Sequence, residues 1–281
     1  MNLFKIFSLV SFFTLSLLAA QTACQDIYFE YEAPNIINTK LTVRTKELCY
    51  REFAVMYSGV SRTPLWSAEH LKRERLNTYT VRSGEFYPEE RLPFDDRAEL
   101  EDYSHSGYDR GHMSPSGDFT DPLSNKECFS LANMIPQNHD NNTEMWEQIE
   151  SATRYLAKKS GDIYVITGPI FSGDHLTRIN SRVLVPTKIF KAIYVPSLDQ
   201  GAAYVTNNAP GESYEVLSIA ELQKLTGIDF FPKMTQMQKE HAMTLPTPQP
   251  RHSNYKKHYE PSNNSFFDKI DRKVHNFNKG Y

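Results

Sequence analysis

The sequence predicts an α+β protein in which strands precede and follow one long helix. Residues 143–159 carry apolar side chains at near-helical spacing, which indicates an amphipathic helix. Residues 163–171 and 188–195 are short apolar runs that are typical of buried strands. Residues 108–116 contain a histidine directly after a glycine and precede the helix. We therefore expect the functional site where the histidine segment meets the long helix.

The elements ahead of the histidine segment are less regular. Residues 49–57 predict one strand, because their second half is apolar and aromatic, and residues 58–64 predict a turn. Residues 65–71 fit either a helix or the end of a strand. Residues 72–107 are charged and rich in turn-forming residues, so we expect a solvated loop.

Between the histidine segment and the long helix the sequence is polar. We predict a loop at residues 118–125, a short strand or helix at residues 127–134, and a polar turn at residues 138–142. The long helix ends at residues 160–162, which contain a glycine.

Further strands are predicted at residues 183–186 and 202–206. A short helix is predicted over residues 218–226, with Ser218 as its N-cap and Gly227 ending it. We expect residues 230–232 to close the ordered part of the protein.

Both termini differ from the middle of the chain. Residues 1–23 combine Lys5, an apolar stretch and small uncharged residues, which predicts a signal peptide and hence a secreted or periplasmic protein. Lipid attachment at Cys24 is the less favoured alternative, because Gln21 is a poor apolar position before it. Residues 24–244 form the predicted domain, and residues 245–281 a basic, largely disordered tail. The mature protein is expected to have no membrane span.

Export permits disulfide bonds, and the chain has three cysteines. Cys24 and Cys49 bracket the first mature segment, while Cys128 lies far from both. We favour a Cys24–Cys49 disulfide and a small buried thiol at Cys128. The spacings match no zinc-ligand pattern.

The net charge argues against tight binding of nucleic acid over a large area. The whole chain carries −3, and loss of residues 1–23 makes it −4. Residues 251–281 contain seven basic and three acidic residues, so the remainder carries about −8. Nucleic-acid binders are expected to be basic where they contact their ligand. An enzyme with a small basic cleft remains compatible with this composition.

Four residues could together support metal-assisted phosphodiester cleavage. His112 suits the general base, because imidazole titrates near neutral pH, although an isolated histidine is more often structural. Asn142 could bind a hard cation through its amide oxygen or cap the following helix. Glu150 could hold metal-bound water or simply be an exposed helix residue. Arg154 could stabilise phosphate charge or pair with Glu150 one turn earlier.

Other polar residues nearby allow several roles. Asn133 could orient the scissile phosphate or the histidine loop, or be an ordinary turn residue. Asp109 could pair with Arg110 or another arginine, and Arg110 could contact phosphate. Arg82 is the candidate that the charged loop could supply to a cleft. Trp146 is expected to lie in the core.

These residues resemble the DNA/RNA non-specific endonucleases of the ββα-metal, or His-Me finger, superfamily, which includes endonuclease G-like enzymes. The resemblance rests on residues 109–112 (DRGH), residues 133–137 (NMIPQ) and the spacing of Asn142, Trp146, Glu150 and Arg154. It spans about residues 45–235 and implies a ββα-metal fold with a central antiparallel sheet and a long site-bearing helix.

The resemblance also implies a Mg²⁺-dependent enzyme, with Mn²⁺ as an alternative ion, that cleaves DNA and RNA and leaves 5′-phosphate ends. His112 would be the general base, Asn142 the metal ligand, Glu150 the holder of metal-bound water and Arg154 the phosphate stabiliser. Asn133 and Arg110 would support catalysis and contact the substrate. Arg82 would contact substrate as well, although the motif around it is loose.

Two other functions are compatible with the residues. A catalytically silent protein could bind nucleic acid through the same fold, or a phosphodiesterase of the same mechanism could select particular substrates. The oligomeric state stays open, and so does an inhibitor protein as a partner.

Overall fold

A computed structural model of the chain describes residues 24–76 and 84–249. Its strands are β1 (Asn35–Ile36), β2 (Thr45–Cys49), β3 (Phe53–Ser58), β4 (Thr63–Lys72), β5 (Asp109–His112), β6 (Met134–Gln137), β7 (Asp162–Ile170), β8 (Arg178–Ile179), β9 (Val183–Leu184), β10 (Lys188–Val195), β11 (Gln200–Asn207), β12 (Tyr214–Leu217) and β13 (Ile228–Asp229). Its α-helices are α1 (Arg73–Leu76), α2 (Leu100–Tyr103), α3 (Pro122–Glu127), α4 (His139–Thr143), α5 (Met145–Ser160), α6 (Ile219–Thr226) and α7 (Gln236–Glu240).

A seven-stranded sheet forms the centre of the fold, in the order β12-β11-β10-β7-β4-β3-β2. All neighbouring strands are antiparallel, so the expected central antiparallel sheet is confirmed. In the register of the middle strands, Thr167 of β7 lies opposite Ser67 of β4 on one side and Lys191 of β10 on the other. This register sets a row of polar side chains in the middle of an otherwise apolar sheet.

The sheet is covered on both faces. On one face, Trp146 and Ile149 of α5 pack with sheet residues such as Val165 and Ile193. On the other face, α6, the N-terminal segment and the residues after β13 pack against different side chains of the same strands. Because side chains alternate along a strand, central strands that are covered twice are apolar on both sides. This explains why residues 163–170 and 188–195 are nearly continuous apolar runs.

Both helices whose termini the sequence predicted are present. Helix α5 begins two residues later than expected, and Gly161 ends it with a φ of 105°. Helix α6 has Ser218 as its N-cap and the left-handed Gly227 at its C-terminus, as predicted. Trp146 is fully buried, which confirms its core assignment. Tyr155, although it fits the helical apolar pattern, is 58% exposed.

Two expectations for the N-terminal half need correction. Residues 49–57 are not one strand, because β2 ends at Cys49 and β3 starts at Phe53. The backbone N–H of Tyr50 donates to the carbonyl of Phe53 (2.9 Å) and closes a turn between them. The sequence did not reveal this turn because apolar residues flank it on both sides. Residues 65–71, which fitted a helix or a strand end, belong to β4, and that strand shortens the predicted turn at 58–64.

Three segments predicted as loops or turns contain short helices. Residues 72–107, expected to be a solvated loop, include α1 and α2. Residues 118–125 include most of α3, whose N-cap Asp121 accepts from Ser124 N–H (2.9 Å). Residues 138–142 form most of α4, and Asn138 caps it by accepting from Asn141 N–H (3.1 Å). Helices of five or six residues are too short to produce an apolar period, so their caps are the main sequence signal.

The ordered part of the protein extends beyond residues 230–232. Helix α7 follows, and Met243 and Leu245 are buried in the core beneath α5. The hydroxyl of Tyr204 donates to the carbonyl of Pro246. Residues 245–249 therefore belong to the folded domain, which corrects the predicted start of the tail. The remainder of the predicted tail and the predicted signal peptide lie outside the described residues.

Cys24 and Cys49 form a disulfide, as predicted, with Cα atoms 5.4 Å apart. It joins the N-terminal segment to the end of β2. Cys128 is a buried thiol, also as predicted, and its Sγ donates to the carbonyl of Asn125 (3.1 Å). Within residues 24–76 and 84–249, none of the helices combines the length and the apolar composition that a membrane crossing requires.

Candidate active site

The site is built on a two-stranded hairpin followed by a helix. Strand β5 pairs antiparallel with β6, with His112 opposite Met134 and Asp109 opposite Gln137. Helices α4 and α5 follow β6 in the chain, and α4 packs against β5. Met113, directly after His112, belongs to the same core cluster as Trp146 and Ile149 of α5, so the histidine segment and the long helix meet, as the sequence predicted.

His112 ends β5 in a half-buried, aromatic environment. Its ring centroid lies 5.0 Å from that of Phe129, edge to face, and 5.7 Å from that of Phe86. The preceding Gly111 is required for packing, since a Cβ atom there would lie 2.0 Å from Oε1 of Gln137. The two aromatic rings form apolar walls beside the imidazole.

Asn133 fixes the loop that follows His112. Its Oδ1 accepts from Ser114 N–H (3.0 Å), and its Nδ2 donates to the carbonyls of Ser114 (2.8 Å) and Cys128 (2.9 Å). The side chain is fully buried. Both amide hydrogens are used and the side chain has no access to solvent in this structure, while the predicted substrate contact stays a prediction. Orientation of the histidine loop, the other role considered, is the one that the geometry supports.

Asn142 lies in α4 and not at the start of α5, whose N-cap is Glu144, so the capping alternative is wrong. Its Nδ2 donates to Oδ2 of Asp109 (2.9 Å). Among the described residues, Asp109 therefore pairs with Asn142, and no arginine of that part of the chain takes the expected place. The same oxygen lies 2.9 Å from Nδ1 of His139, which is largely exposed.

This contact decides which way the amide of Asn142 faces. An ionised carboxylate only accepts hydrogen bonds, so the NH₂ group of Asn142 must point at Asp109. Its Oδ1 then points away from Asp109 and is free of that contact. A half-buried amide oxygen held in one orientation suits a hard divalent cation, which needs few protein ligands when it keeps most of its water. The residues present therefore fit a Mg²⁺-type ion.

No larger cage of metal ligands competes with this site within the described ranges. The one group of three ligand-type side chains with closely spaced atoms is Cys24, Glu47 and Cys49. Its two sulfurs are joined in the disulfide, so they cannot act as thiolate ligands.

Glu150 lies two turns along α5, with a side chain that is 14% exposed. Burial raises the pKa of Glu150 to about 7, against the opposing charges of Arg154 and Lys191; Asp118 adds to the rise. It is therefore not the ordinary exposed helix glutamate that was the alternative. A carboxyl group that titrates near neutrality can hold water or exchange a proton under working conditions.

Arg154 is held mainly by a residue outside α5. Its Nη1 lies 2.9 Å from Oδ1 of buried Asp118 and 3.9 Å from Oε2 of Glu150. Burial opposes its charge, but Asp118 and Glu150 outweigh this and raise the pKa of Arg154. The predicted pair with Glu150 is thus secondary to the pair with Asp118. A guanidinium fixed in this way is a preorganised positive charge next to Glu150.

Arg110 lies on the same strand as His112, two residues earlier, and therefore faces the same side. Its guanidinium carbon is 5.1 Å from the ring centroid of Phe86 and 5.5 Å from that of Tyr103. Among the described residues, its buried Nε has no hydrogen-bond acceptor. Arg110 therefore lies beside His112, with its Nη2 donating to the carbonyl of Leu100 (3.4 Å), while Arg82 lies outside the described residues.

Comparison with known proteins identifies the fold family. The sequence profile of the DNA/RNA non-specific endonuclease family matches residues 33–237. The chain belongs to the DNA/RNA non-specific endonuclease family. Both the resemblance inferred from the motifs and the predicted ββα-metal fold class are thereby confirmed.

Family members of known sequence include mitochondrial nuclease EXOG of Danio rerio, which is 33% identical over 218 residues, covering 70% of this chain and 64% of that protein. Nuclease C1 of Cunninghamella echinulata var. echinulata is 32% identical over 205 residues, covering 65% of this chain and 81% of nuclease C1. The chain spans less than two-thirds of the length of the EXOG proteins that it matches.

A solved structure shares the fold. The crystal structure of the EndoG/EndoGI complex, which addresses the mechanism of EndoG inhibition, contains a chain that is 26% identical. It superposes with a TM-score of 0.64 over 68% of this endonuclease-family chain and 88% of that chain.

The motifs of this endonuclease-family protein did not reveal three charged residues around Glu150. Glu69 of β4 and Lys191 of β10 are fully buried, and so is Asp118, the partner of Arg154. The sequence did contain a signal for Glu69 and Lys191, because a charged residue inside an apolar strand segment such as residues 188–195 needs a compensating partner. Which residues supply that partner depends on the sheet register, which the sequence does not give.

Proposed function

We propose that this protein is an exported, Mg²⁺-dependent endonuclease that hydrolyses phosphodiester bonds of DNA and RNA without sequence preference. The observation that carries the proposal is the hairpin–helix unit, in which β5 bears His112 and Asp109 and the adjoining α4 bears Asn142. Family membership and nuclease relatives support it.

His112 acts as the general base. Its imidazole takes a proton from the attacking water, whose oxygen forms a new bond to phosphorus. The bond from phosphorus to the 3′ oxygen breaks, and that oxygen gains a proton, so the product carries a 5′-phosphate. The loop held by Asn133 and the rings of Phe86 and Phe129 restrict the imidazole to one position.

Asn142 would hold the cation through Oδ1, with Asp109 orienting the amide. Bound there, Mg²⁺ supplies charge neutralisation at the phosphate and assistance to the leaving oxygen. Mn²⁺, which accepts the same oxygen ligands, is an alternative. Glu150 would hold water of the ion, Arg154 beside it would add a fixed positive charge, and Arg110 would contact a substrate phosphate.

We further propose secretion or delivery to the periplasm, with residues 1–23 as a signal peptide. The Cys24–Cys49 disulfide supports this, because such bonds persist in oxidising compartments. N-terminal sequencing of the purified exported protein checks the cleavage site. An inhibitor protein is a partner worth testing, since the related EndoG was crystallised with EndoGI.

The decisive experiment measures degradation of a plasmid and of an RNA by the mature protein with Mg²⁺, with EDTA, and in the His112→Ala variant. Loss of a general base costs roughly 10²- to 10⁴-fold in rate. His175→Ala serves as the control, because His175 is exposed and distant in sequence from the hairpin.

Each outcome assigns a function. Cleavage of both substrates that EDTA and His112→Ala abolish supports the proposal. Cleavage of only one substrate class favours a selective phosphodiesterase. Binding without turnover, in Mg²⁺ and Mn²⁺ alike, favours the catalytically silent protein and overturns the proposal.

A further inference from the structure

Glu69 is an unexplained charged residue in the core. It lies in the middle of β4 and is 1% exposed. Neither carboxylate oxygen has a hydrogen-bond donor within the part of the chain that the structure describes. An ionised carboxylate buried without partners is strongly unfavourable, and such groups usually become neutral. The burial of Glu69 therefore demands either a compensating charge or a proton.

The charged groups that face Glu69 come from three elements. Lys191 approaches from β10, and Asp118 from the turn after Pro115. Helix α5 brings Glu150, with Arg154 and Glu147 beside it. Ser114 also faces Glu69, but its hydroxyl is 2.6 Å from that of Ser67. We call Glu69, Asp118, Glu150, Lys191 and Arg154 the buried charge cluster.

The two cations of the buried charge cluster are already assigned to other groups. Arg154 pairs with Asp118 at 2.9 Å, and Nζ of Lys191 donates to Oγ1 of Thr167 (2.8 Å). Glu147 also lies 4.0 Å from Arg154, but its side chain is 22% exposed and is therefore left out of the buried charge cluster. Within the cluster, three carboxyl groups face these two positive charges. Charge balance within the buried volume is reached when one of the three carboxyl groups carries a proton.

Glu69 is the group that should carry that proton. Burial raises the pKa of Glu69 well above its usual value, Asp118 and Glu150 raise it further, and Lys191 and Ser114 only oppose this. Asp118 is in direct contact with the guanidinium of Arg154, whereas Glu69 has no such contact among the described residues. Glu150 is closer to solvent than Glu69.

We propose that the buried charge cluster stores one proton on Glu69 in the metal-free protein, and that a divalent cation held by Asn142 releases it. This rests on the proposed metal-dependent function. Because the proposed function has Glu150 hold water of that cation, the added positive charge lies near Glu150 and reduces the negative field that Glu150 exerts at Glu69. The O–H bond of the Glu69 carboxyl then breaks, the electron pair stays on the carboxylate, and the proton passes to solvent water.

Glu69 is thus a positioning residue in this proposal. While Glu69 is neutral, the positive charges of Lys191 and Arg154 balance the negative charges of the other two carboxyl groups. Glu150 can then hold water of the cation. Once the cation has bound, the negative charge of the ionised Glu69 carboxylate offsets part of the positive charge that the cation adds. Cation binding and proton release are therefore linked, and cation affinity rises with pH.

Infrared difference spectroscopy of the full mature protein tests this directly, because protonated and ionised carboxyl groups absorb separately. We expect the metal-free protein at pH 8.5 to show a protonated-carboxyl band, which Glu69→Gln removes and MgCl₂ diminishes. Glu215→Gln, which removes an exposed carboxylate, should leave the band unchanged. A band that Glu69→Gln leaves intact, or one that MgCl₂ leaves intact, overturns the proposal.

Lys191→Met provides a second variant if Glu69→Gln fails to fold. Removal of the positive charge should move the pH midpoint of the band upward, because Lys191 lowers the pKa of Glu69. An unchanged or lower midpoint contradicts the proposal.

Nuclease assays on the same samples separate the two proposals. If the protein cleaves DNA but MgCl₂ leaves the protonated-carboxyl band unchanged, proton storage is refuted and the proposed function is not. A protein that cleaves no nucleic acid with any divalent cation refutes the proposed function, while the test of Glu69→Gln on the metal-free band still stands.

Discussion

Asn142 donates a hydrogen bond to Asp109, with 2.9 Å between Nδ2 and Oδ2. The two residues are 33 positions apart and lie on adjacent elements of the hairpin–helix unit. Because the carboxylate can only accept, this contact aims the oxygen of Asn142 away from Asp109. Orientation of the candidate metal ligand is thus a property of the pair.

Asp109→Ala should weaken activation by Mg²⁺, since the amide of Asn142 would no longer be fixed. Loss of an orienting partner typically costs about 10- to 100-fold in metal affinity. Asp109→Asn should be milder, because its amide oxygen can still accept from Asn142. The measurement is activity as a function of MgCl₂ concentration, with exposed Asp174→Asn as the control. An Asp109→Ala variant with the wild-type titration curve would disprove the orienting role.

Asn133→Ala should destabilise the fold. It leaves buried polar groups of Ser114 and Cys128 without their partner, and one such group costs about 1–3 kcal/mol. We expect a loss of about 3 kcal/mol or more in the free energy of unfolding, measured by urea denaturation. Unchanged stability combined with a raised KM would instead favour the predicted contact between Asn133 and the substrate.

Arg154→Ala should reduce both stability and activity, because it leaves the carboxylate of Asp118 buried and unpaired. Breaking a buried ion pair costs about 3–5 kcal/mol. The double variant Arg154→Ala/Asp118→Asn should recover most of the stability but not the activity. Thermal denaturation and plasmid cleavage, measured on the same preparations, test both expectations. Recovery of activity in the double variant would exclude a direct role for the guanidinium.

Glu150 should make stability depend on pH. Since burial raises its pKa to about 7, the folded protein binds a proton more tightly than the unfolded chain does. Its contribution to stability is therefore present in acid and lost as pH rises to about 7. Without metal, Glu150→Gln should become more stable relative to wild type between pH 5 and pH 8, measured as thermal midpoints in EDTA. A difference that is constant with pH would contradict the assignment.

The C-terminal boundary can be tested by truncation. Deletion after Gln249 should leave thermal stability unchanged, whereas deletion after Thr244 should lower it. The longer deletion removes buried Leu245 and the carbonyl of Pro246 that accepts from Tyr204. Full burial of one leucine side chain contributes about 1.5–3 kcal/mol. Equal melting temperatures for the two truncated proteins would show that this segment adds no stability.

The sequence predicted elements whose signals are local. The apolar period of α5, the caps of α6 and the apolar runs of β7 and β10 all appear in the structure close to their expected bounds. Such signals depend on hydrogen bonds and side-chain contacts within about four residues, so they can be recognised from the amino-acid sequence alone. The division of residues 49–57 into two strands was missed because a turn between two apolar segments changes the apolar pattern little.

The sequence by itself determined which residues have the chemistry for the site, since His112, Asn142, Glu150 and Arg154 stand at the spacing of the family. The tertiary structure decided what each one contacts. Asp109 orients Asn142, Asp118 holds Arg154, and Glu69 and Lys191 lie under Glu150. These partners come from strands and turns far apart in the chain, and sheet register and helix docking bring them together. The charge state of a buried carboxyl depends on that surrounding set of charges, which no local pattern records.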